Sequence, residues 1–161
     1  MGVFKTLRKK TQKVDEKMSE RNDYTKFNVN ELVDQDTFEG EIFLSEVYEN
    51  EFTDDFTGET SKKYSANLYV SNDENKETLK ARVNLKSLKD QITVWQGSMA
   101  YDLIDSIEEL NEPGTGGLHN VYNMSFKELQ EHVNQIGNVT VLVKGHTGDF
   151  DYNTLRIIGV N

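Results

Sequence analysis

The sequence predicts a mainly β domain that carries two helices. Three observations lead to this prediction: a polar-turned hairpin with strictly alternating strands, two apolar patterns of helical period with capping residues, and two further alternating runs near the C-terminus. With 161 residues the chain fits one domain.

The clearest signal is the hairpin predicted between Lys62 and Lys86, with its connection at Ser71 to Glu77. One face of both strands is apolar and the other is polar, as expected for a sheet with one buried face. The polar face carries three cations beside a tyrosine: Lys80, Arg82, Lys86 and Tyr69. Cations attract phosphates and rings stack on bases, so this face suits a nucleic-acid strand. A merely solvated hairpin face is the alternative, and both interpretations stay open.

An earlier strand is predicted from Thr37 to Tyr48, where apolar and polar residues alternate as far as Leu44. Beyond Leu44 the alternation slips by one position, which indicates a bulge or bend. Gly40 within this strand favours strong curvature, the kind that closes a small barrel. The segment before it, Phe27 to Asp36, is predicted as a connection with one helical turn.

The segment from Glu49 to Ser61 is predicted as a long acidic loop that contains two phenylalanines. Its carboxylates lack the spacing of an EF-hand loop, so they are interpreted as solvated acids rather than a calcium site.

Two helices are predicted. The first spans Ser98 to Asn111, with Ser98 as N-cap and Asp102 and Asp105 on its polar side. The second spans Ser125 to Gly137 and starts with a Ser-x-x-Glu capping box. Trp95, just before the first helix, is expected in the core because a lone tryptophan beside a valine is more often buried than exposed, and a place on a binding face is the alternative.

The last two strands are predicted at Asn138 to His146 and at Phe150 to Val160. In the final strand Leu155 and Ile157 point inward, whereas Tyr152, Thr154 and Arg156 point outward. The apolar closing residues predict that the C-terminus is part of the sheet.

Charge is sorted along the chain, whose net charge is −10. Residues 27–61 carry eleven acids and no lysine or arginine, whereas residues 1–13 carry five cations and no acid. We therefore divide the chain into a basic, flexible N-terminal arm, 1–26, and a folded domain, 27–161. The arm is expected to order on a partner, and self-association through it is expected from these residues: Phe4, Leu7, Arg8, Lys9 and Lys10.

A helix between the third and fourth of five strands is the connectivity of the OB-fold, a small Greek-key barrel. On the curved strand TFEGEIFL, the hairpin YSANLYV/TLKARVNL, the capped helix SFKELQEHVNQIG and the final pair VTVLVKG/YNTLRIIGV, the chain resembles OB-fold single-stranded DNA-binding proteins. The similarity is to the divergent, acidic type from phages and conjugative plasmids of Gram-positive bacteria. The chain departs from the common bacterial type in its helical segment near 98–111, its basic N-terminal extension and the lack of an acidic C-terminal tail.

The resemblance implies non-sequence-specific binding of single-stranded DNA, in replication or conjugation, without a cofactor. It implies a binding face on the second and third strands, flanked by loops, made of these residues: Phe43, Tyr69, Lys80, Arg82, Lys86, Tyr152 and Arg156. With a net charge of −10, binding is expected to be weak and salt-sensitive, with affinity gained by cooperative assembly.

The sequence does not favour an enzyme. Its three histidines are scattered, it has no cysteine, and no nucleophile motif or metal-ligand spacing is present. No apolar run approaches the ~20 residues that span a bilayer, and we expect a cytoplasmic protein without a small-molecule substrate. The rival hypothesis is an acidic interaction module, or DNA mimic, in which residues 27–61 bind a basic partner.

Overall fold

The computed structural model describes residues 14–86 and 90–161. Residues 14–19 are helical (α1), and two longer helices follow, α2 (Met99–Asn111) and α3 (Phe126–Asn134). The strands are β1 (Thr25–Asn28), β2 (Thr37–Leu44), β3 (Tyr48–Thr53), β4 (Thr60–Asn72), β5 (Glu77–Leu85), β6 (Ile92–Thr93), β7 (Val121–Tyr122), β8 (Asn138–His146) and β9 (Tyr152–Val160). The fold is therefore mainly β with a few helices, as predicted.

The main sheet is curled into a half-barrel. Its strands follow the order β1-β5-β4-β2-β8-β9, and β3 joins beside β4. β6 and β7 form a separate two-stranded sheet. β1 pairs with β5 in parallel, whereas the other neighbours are antiparallel. The sheet has more strands than the five predicted, because β1 lies where the predicted arm meets the predicted connection and β3 lies mostly in the predicted acidic loop.

The hairpin β4–β5 confirms the alternation predicted for it. Seven of its apolar side chains are at most 2 % exposed, and they form the centre of the core: Ala66, Leu68, Val70, Leu79, Ala81, Val83 and Leu85. They pack with apolar residues of β2, β8, β9 and the helices. At roughly 25 cal/mol per Å² of apolar surface, this burial is the main term that stabilises the curled sheet.

The slip predicted after Leu44 is a one-residue bulge. Leu44 lies opposite Leu68 and Tyr48 lies opposite Ser65, so three residues of one strand face two of the other. The side chain of Asn134 on α3 holds the bend: its amide oxygen accepts the Leu44 N–H at 2.7 Å and its amide nitrogen donates to the Leu44 carbonyl at 3.1 Å. After the bulge the chain continues as β3, which pairs with β4. The segment predicted as an acidic loop is therefore a protruding hairpin.

The free edge of β9 is covered by side chains rather than by a further strand. The free edge of β9 donates its N–H groups to side chains of the 3-10 helix Val29–Glu31 and of α2: Asn153 to Asn30 Oδ1, Leu155 to Met99 Sδ, and Ile157 to Ser106 Oγ. Because buried backbone donors need partners, the 3-10 helix and α2 occupy the place beside β9 that a neighbouring strand would take.

Three predictions about burial are wrong. Asp102 and Asp105 are buried, at 1 % and 2 % exposed, because α2 packs against β9 with the side predicted to be polar. Thr154 is buried under the same helix. Of the apolar C-terminal residues, Ile158 and Val160 are half-exposed, although the strand that carries them is part of the sheet as predicted.

The arm boundary predicted at residue 26 falls within β1, and residues 14–24 pack on the sheet. Arg21 donates to Asp73 in the β4–β5 turn at 2.8 Å, and the Tyr24 hydroxyl donates to the same carboxylate at 3.0 Å. The hydrogen bond from Arg21 lowers the pKa of Asp73. The arm residues Phe4, Leu7, Arg8, Lys9 and Lys10 lie outside the described residues.

Gly40 allows β2 and β4 to come close together at the curve. A Cβ atom there would overlap the carbonyl group of Ser71, which is backbone and has no room to move. We predict that Gly40→Ala lowers the free energy of unfolding by about 2–3 kcal/mol because of this overlap. Urea denaturation measures it, with Gly159→Ala as control, since no atom lies within 4 Å of a Cβ on Gly159. Equal stability of the two variants would contradict the close approach.

Candidate nucleic-acid interface

An open groove of about 530 Å³ lies between β5 and β9, where the sheet is not joined. Its lining comes from the end of β1, the 3-10 helix, β5, the turn before α2 and the start of β9. The lining residues are Asn28, Val29, Asn30, Arg82, Asn84, Trp95, Gln96, Gly97, Ser98, Met99, Tyr152, Asn153 and Thr154. Among these described residues Arg82 is the one that is charged, so none of them contributes a carboxylate although the chain has a net charge of −10.

Trp95 is the main aromatic residue of the groove. It is 47 % exposed, so its assignment to the core is wrong. The turn that begins at Trp95 leads directly into α2: the Ser98 hydroxyl donates to the Trp95 carbonyl at 2.8 Å and caps the helix by accepting the Tyr101 N–H at 3.0 Å. The predicted N-cap was the signal for this exposure, because the residues before a helix cap lie in a surface turn.

Two of the predicted binding residues lie near Trp95: Tyr152 lines the groove and Lys86 lies over the indole ring. The ammonium group of Lys86 lies 4.3 Å from the centre of the indole ring, a cation–π contact. Tyr152 is 41 % exposed, and its hydroxyl donates to the Gly97 carbonyl at 2.8 Å, which fixes the turn against β9. The Tyr152 ring stacks on His146 with centroids 4.8 Å apart and an angle of 7° between the planes.

Arg82 and Lys80 supply the remaining positive charge, both from exposed positions of β5. Arg82 lines the groove and donates to Ser65 Oγ at 3.2 Å. Lys80 lies beside Asn28 in the parallel pairing of β1 with β5, at the edge of the groove. Four predicted residues, Lys80, Arg82, Lys86 and Tyr152, are thus in or beside the groove.

The floor of the groove is held by amide side chains. The Asn153 amide donates to the Val29 carbonyl at 3.0 Å and to the Leu32 carbonyl at 2.6 Å. Asn28 Oδ1 accepts the Asn30 N–H at 3.0 Å and caps the 3-10 helix. These neutral groups, which sequence reasoning missed, fix the groove wall without adding negative charge.

Phe43 and Tyr69 are not in the groove, because α1 packs over them on the outer face of β2 and β4. Phe43 is 3 % exposed, and the Lys17 ammonium group lies 4.9 Å from the centre of its ring. Tyr69 lies opposite Phe43 and is half-buried. Burial, together with the nearby carboxylate of Asp15, raises the pKa of Tyr69.

Arg156 does not lie on an open face. Its two terminal nitrogens donate to Asp102 Oδ1 and to Asp105 Oδ2, both at 2.8 Å. Burial alone would lower the pKa of Arg156, but these hydrogen bonds raise it above its ordinary value, so the guanidinium stays charged. Thr154 Oγ1 also donates to Asp102, and His146 Nε2 lies 2.8 Å from that hydroxyl. The Arg156 side chain therefore binds the buried side of α2 and does not face a ligand on the sheet.

Neither a metal site nor a membrane span is found among the residues that the structure describes. Within residues 14–86 and 90–161, histidines and carboxylates do not gather in a group of three or more that could hold a metal ion. Among the same residues, every helix is too short or too polar to cross a bilayer.

Comparison with known proteins adds no relative. A scan against protein-family models and searches of curated proteins and of solved structures find no match to this chain.

Replacing Arg156 tests the ionic contact between α2 and β9. We predict that Arg156→Met lowers the free energy of unfolding by about 3–4 kcal/mol, because two buried carboxylates lose their counter-ion. Thermal or urea unfolding measures this, with Arg82→Met as the matched control on an exposed position, where we expect a change within about 0.5 kcal/mol. If Arg156→Met is as stable as the control, the contact does not hold the helix.

Proposed function

We propose that the protein binds single-stranded DNA without sequence specificity, through the groove between β5 and β9. The observation that carries this proposal is the composition of the groove. An exposed tryptophan, an exposed tyrosine and three cations gather in and beside a lining whose described residues include no carboxylate, in a strongly acidic chain. Single strands are bound by aromatic platforms for the bases and by positive charge for the backbone, a combination that tolerates any sequence.

The strand order supports an OB-fold as the architecture of this proposal. The strands matched to the five of that fold are β2, β4, β5, β8 and β9, and they follow the order β5-β4-β2-β8-β9 with α3 between the third and the fourth. OB-folds are partly open barrels that bind oligonucleotides on the face of the second and third strands and the adjoining loops. The proposed groove begins on that third strand and extends to the open seam beside the fifth.

On this proposal the protein handles single-stranded DNA in phage or plasmid DNA metabolism, such as replication or conjugation, in the cytoplasm. No catalytic step or cofactor is part of it. Self-association on the DNA through the N-terminal arm would raise the affinity of a groove that holds only a few cations.

Fluorescence anisotropy of a labelled oligo-dT of about 16 nucleotides tests the proposal. We expect binding at about 50 mM salt and an affinity about ten- to twentyfold lower at about 200 mM, as expected when three cations release counter-ions from a single strand. Absence of binding at the lower salt would contradict the proposal.

Variants locate the site in the same assay. We predict that Trp95→Ala weakens binding about tenfold, because a base–aromatic stack is worth roughly 1–3 kcal/mol, and that Arg82→Ala weakens it and reduces its salt dependence. Phe150→Ala is the matched aromatic control, since Phe150 is 84 % exposed in the β8–β9 turn, outside the groove. Unchanged affinity in both groove variants would refute the site even if the protein binds DNA.

The rival function, an acidic module for a basic partner, is favoured by the β3–β4 hairpin. This hairpin extends from the sheet with acidic side chains around Phe56, which is 99 % exposed. If the protein does not bind oligo-dT at low salt, this surface becomes the candidate for its function.

A further inference from the structure

The turn between β3 and β4 carries Phe56, the most exposed large apolar side chain that the structure describes, at 99 %. The backbone around this ring is nevertheless fixed. Asp54 Oδ1 accepts the Phe56 N–H at 2.8 Å and the Thr57 N–H at 3.2 Å. The Asp54 N–H donates to the Glu59 carbonyl at 2.9 Å and closes the turn. A ring held in a fixed turn loses little conformational freedom when it binds, which favours a contact.

This turn stands at the end of a two-stranded ribbon that leaves the main sheet. The pairing of β4 with β5 begins at Tyr64, so among the described strands the residues Thr60–Lys63 pair with β3 alone. At about 3.3 Å per residue, these four residues make a ribbon roughly 13 Å long. They are exposed, and so is all of β3. The Phe56 ring is therefore presented at the tip of a projecting hairpin.

The tip combines this ring with negative charge. The sequence from Asp54 to Glu59 contains three acids and no cation. Asp55 and Glu59 lie on either side of Phe56 in the sequence, and both are exposed. A single nucleic-acid strand likewise offers flat rings for stacking and negative charge for cations. A groove that suits bases and phosphates therefore also suits this tip.

The groove between β5 and β9 has the complementary chemistry. Its described lining includes Arg82 and no carboxylate, and Lys86 lies over the ring of Trp95 beside it. Trp95 is 47 % exposed, and aromatic rings attract each other in offset or edge-to-face contacts. The groove volume of about 530 Å³ is within the roughly 300–1,000 Å³ of pockets that hold small ligands. One aromatic side chain with its neighbours therefore fits.

Within one chain, the ribbon carries the tip away from this groove. Asn84 lines the groove and pairs with Ser65 of β4. Thr60 is five positions from Ser65 along the same strand, about 17 Å at 3.3 Å per residue, and the turn lies beyond Thr60. β4 is continuous from Thr60 to Asn72, so the ribbon does not fold back on the sheet. The tip can thus meet the groove of a second copy but not its own.

We propose that the tip of the β3–β4 hairpin of one copy docks in the groove between β5 and β9 of a second copy. Phe56 then packs against Trp95, and the acids beside Phe56 face Arg82 and Lys86. The contact joins two different surfaces, so further copies can add in the same way. DNA would compete with the hairpin for the groove, but the inference rests on the composition of the groove and not on DNA binding.

Size and net charge make this association weak rather than forbidden. A turn of six residues is small beside the roughly 20–30 residues that each partner contributes to a standard interface. Two chains of net charge −10 repel each other. At physiological salt this repulsion is largely screened beyond about 8 Å, so the charges that meet at the contact decide its strength.

A mixture of two variants tests the proposal, each defective in one of the two surfaces. The receiver carries Phe56→Ser and keeps its groove. The donor carries Arg82→Glu and Trp95→Phe, so it keeps its hairpin and has no tryptophan. All tryptophan emission then comes from Trp95 in the receiver's groove. At about 0.15 M salt, where the repulsion is screened, we expect added donor to change this emission to saturation.

Two control donors show which turn binds. The first adds Phe56→Ser to the donor, and we expect it to bind at least about tenfold more weakly, because a buried aromatic anchor is a typical hot spot. The second adds Phe150→Ser instead. Phe150 is 84 % exposed between Asp149 and Asp151 in the β8–β9 turn, so its chemistry matches that of Phe56. We expect this donor to bind as the parent donor does.

Equal titration curves for the donors with and without Phe56, or no change with either, would overturn the proposal. A loss of binding with Phe150→Ser instead would assign the groove to the β8–β9 turn and would also overturn it. Added oligo-dT should release the donor from the receiver, and simultaneous binding of both would contradict a shared groove. Failure of oligo-dT to bind the receiver at all would count against the proposed function alone, because the donor titration contains no DNA.

Discussion

The ionic contact between Arg156 and the two aspartates of α2 is the constraint on which the rest of the structure depends. It holds a helix against the last strand where a barrel would hold another strand. The contact is buried: the side chains of Asp102 and Asp105 are 1 % and 3 % exposed, and that of Arg156 is 23 % exposed. Buried charges persist when each is paired and hydrogen-bonded, and each aspartate accepts a hydrogen bond from one terminal nitrogen of the guanidinium. Because α2 then occupies the free edge of β9, the sheet stays open beside β5.

The open seam connects the fold with the proposed function. The turn that begins α2 carries Trp95, and Tyr152 at the start of β9 binds that turn through Gly97. Both rings therefore reach the seam because α2 is fixed there. The same contact pairs two carboxylates of α2 with a cation, since Asp102 and Asp105 both accept hydrogen bonds from Arg156. Other acids lie on exposed strands and turns, so a chain of net charge −10 has a groove in which the lining residues that the structure describes include no carboxylate.

Local patterns in the sequence were sufficient to predict most of the helices and strands. The alternation in β4 and β5, the bulge after Leu44 and the caps at Ser98 and Ser125 depend on neighbours within a few residues, and the structure has all of them. The sequence could not predict that the polar side of α2 is buried as well as its apolar side, because the polar side is covered by Arg156, 54 and 51 residues away from its two partners. For the same reason Arg156 was placed with the ligand rather than in the core. The groove was predicted in part: its cations and Tyr152 follow from alternation, whereas Trp95 and the supporting asparagines depend on long-range contacts.

The single tryptophan of the chain allows the most direct measurement of the central claim, that the seam beside α2 is where single-stranded DNA binds. Titration with unlabelled oligo-dT, followed by Trp95 fluorescence at low salt, reports on this residue alone. If bases stack on the indole, the emission should be quenched to saturation, and the quenching should be reversed by added salt. Binding seen by another method with no change in Trp95 emission would show that the strand lies elsewhere.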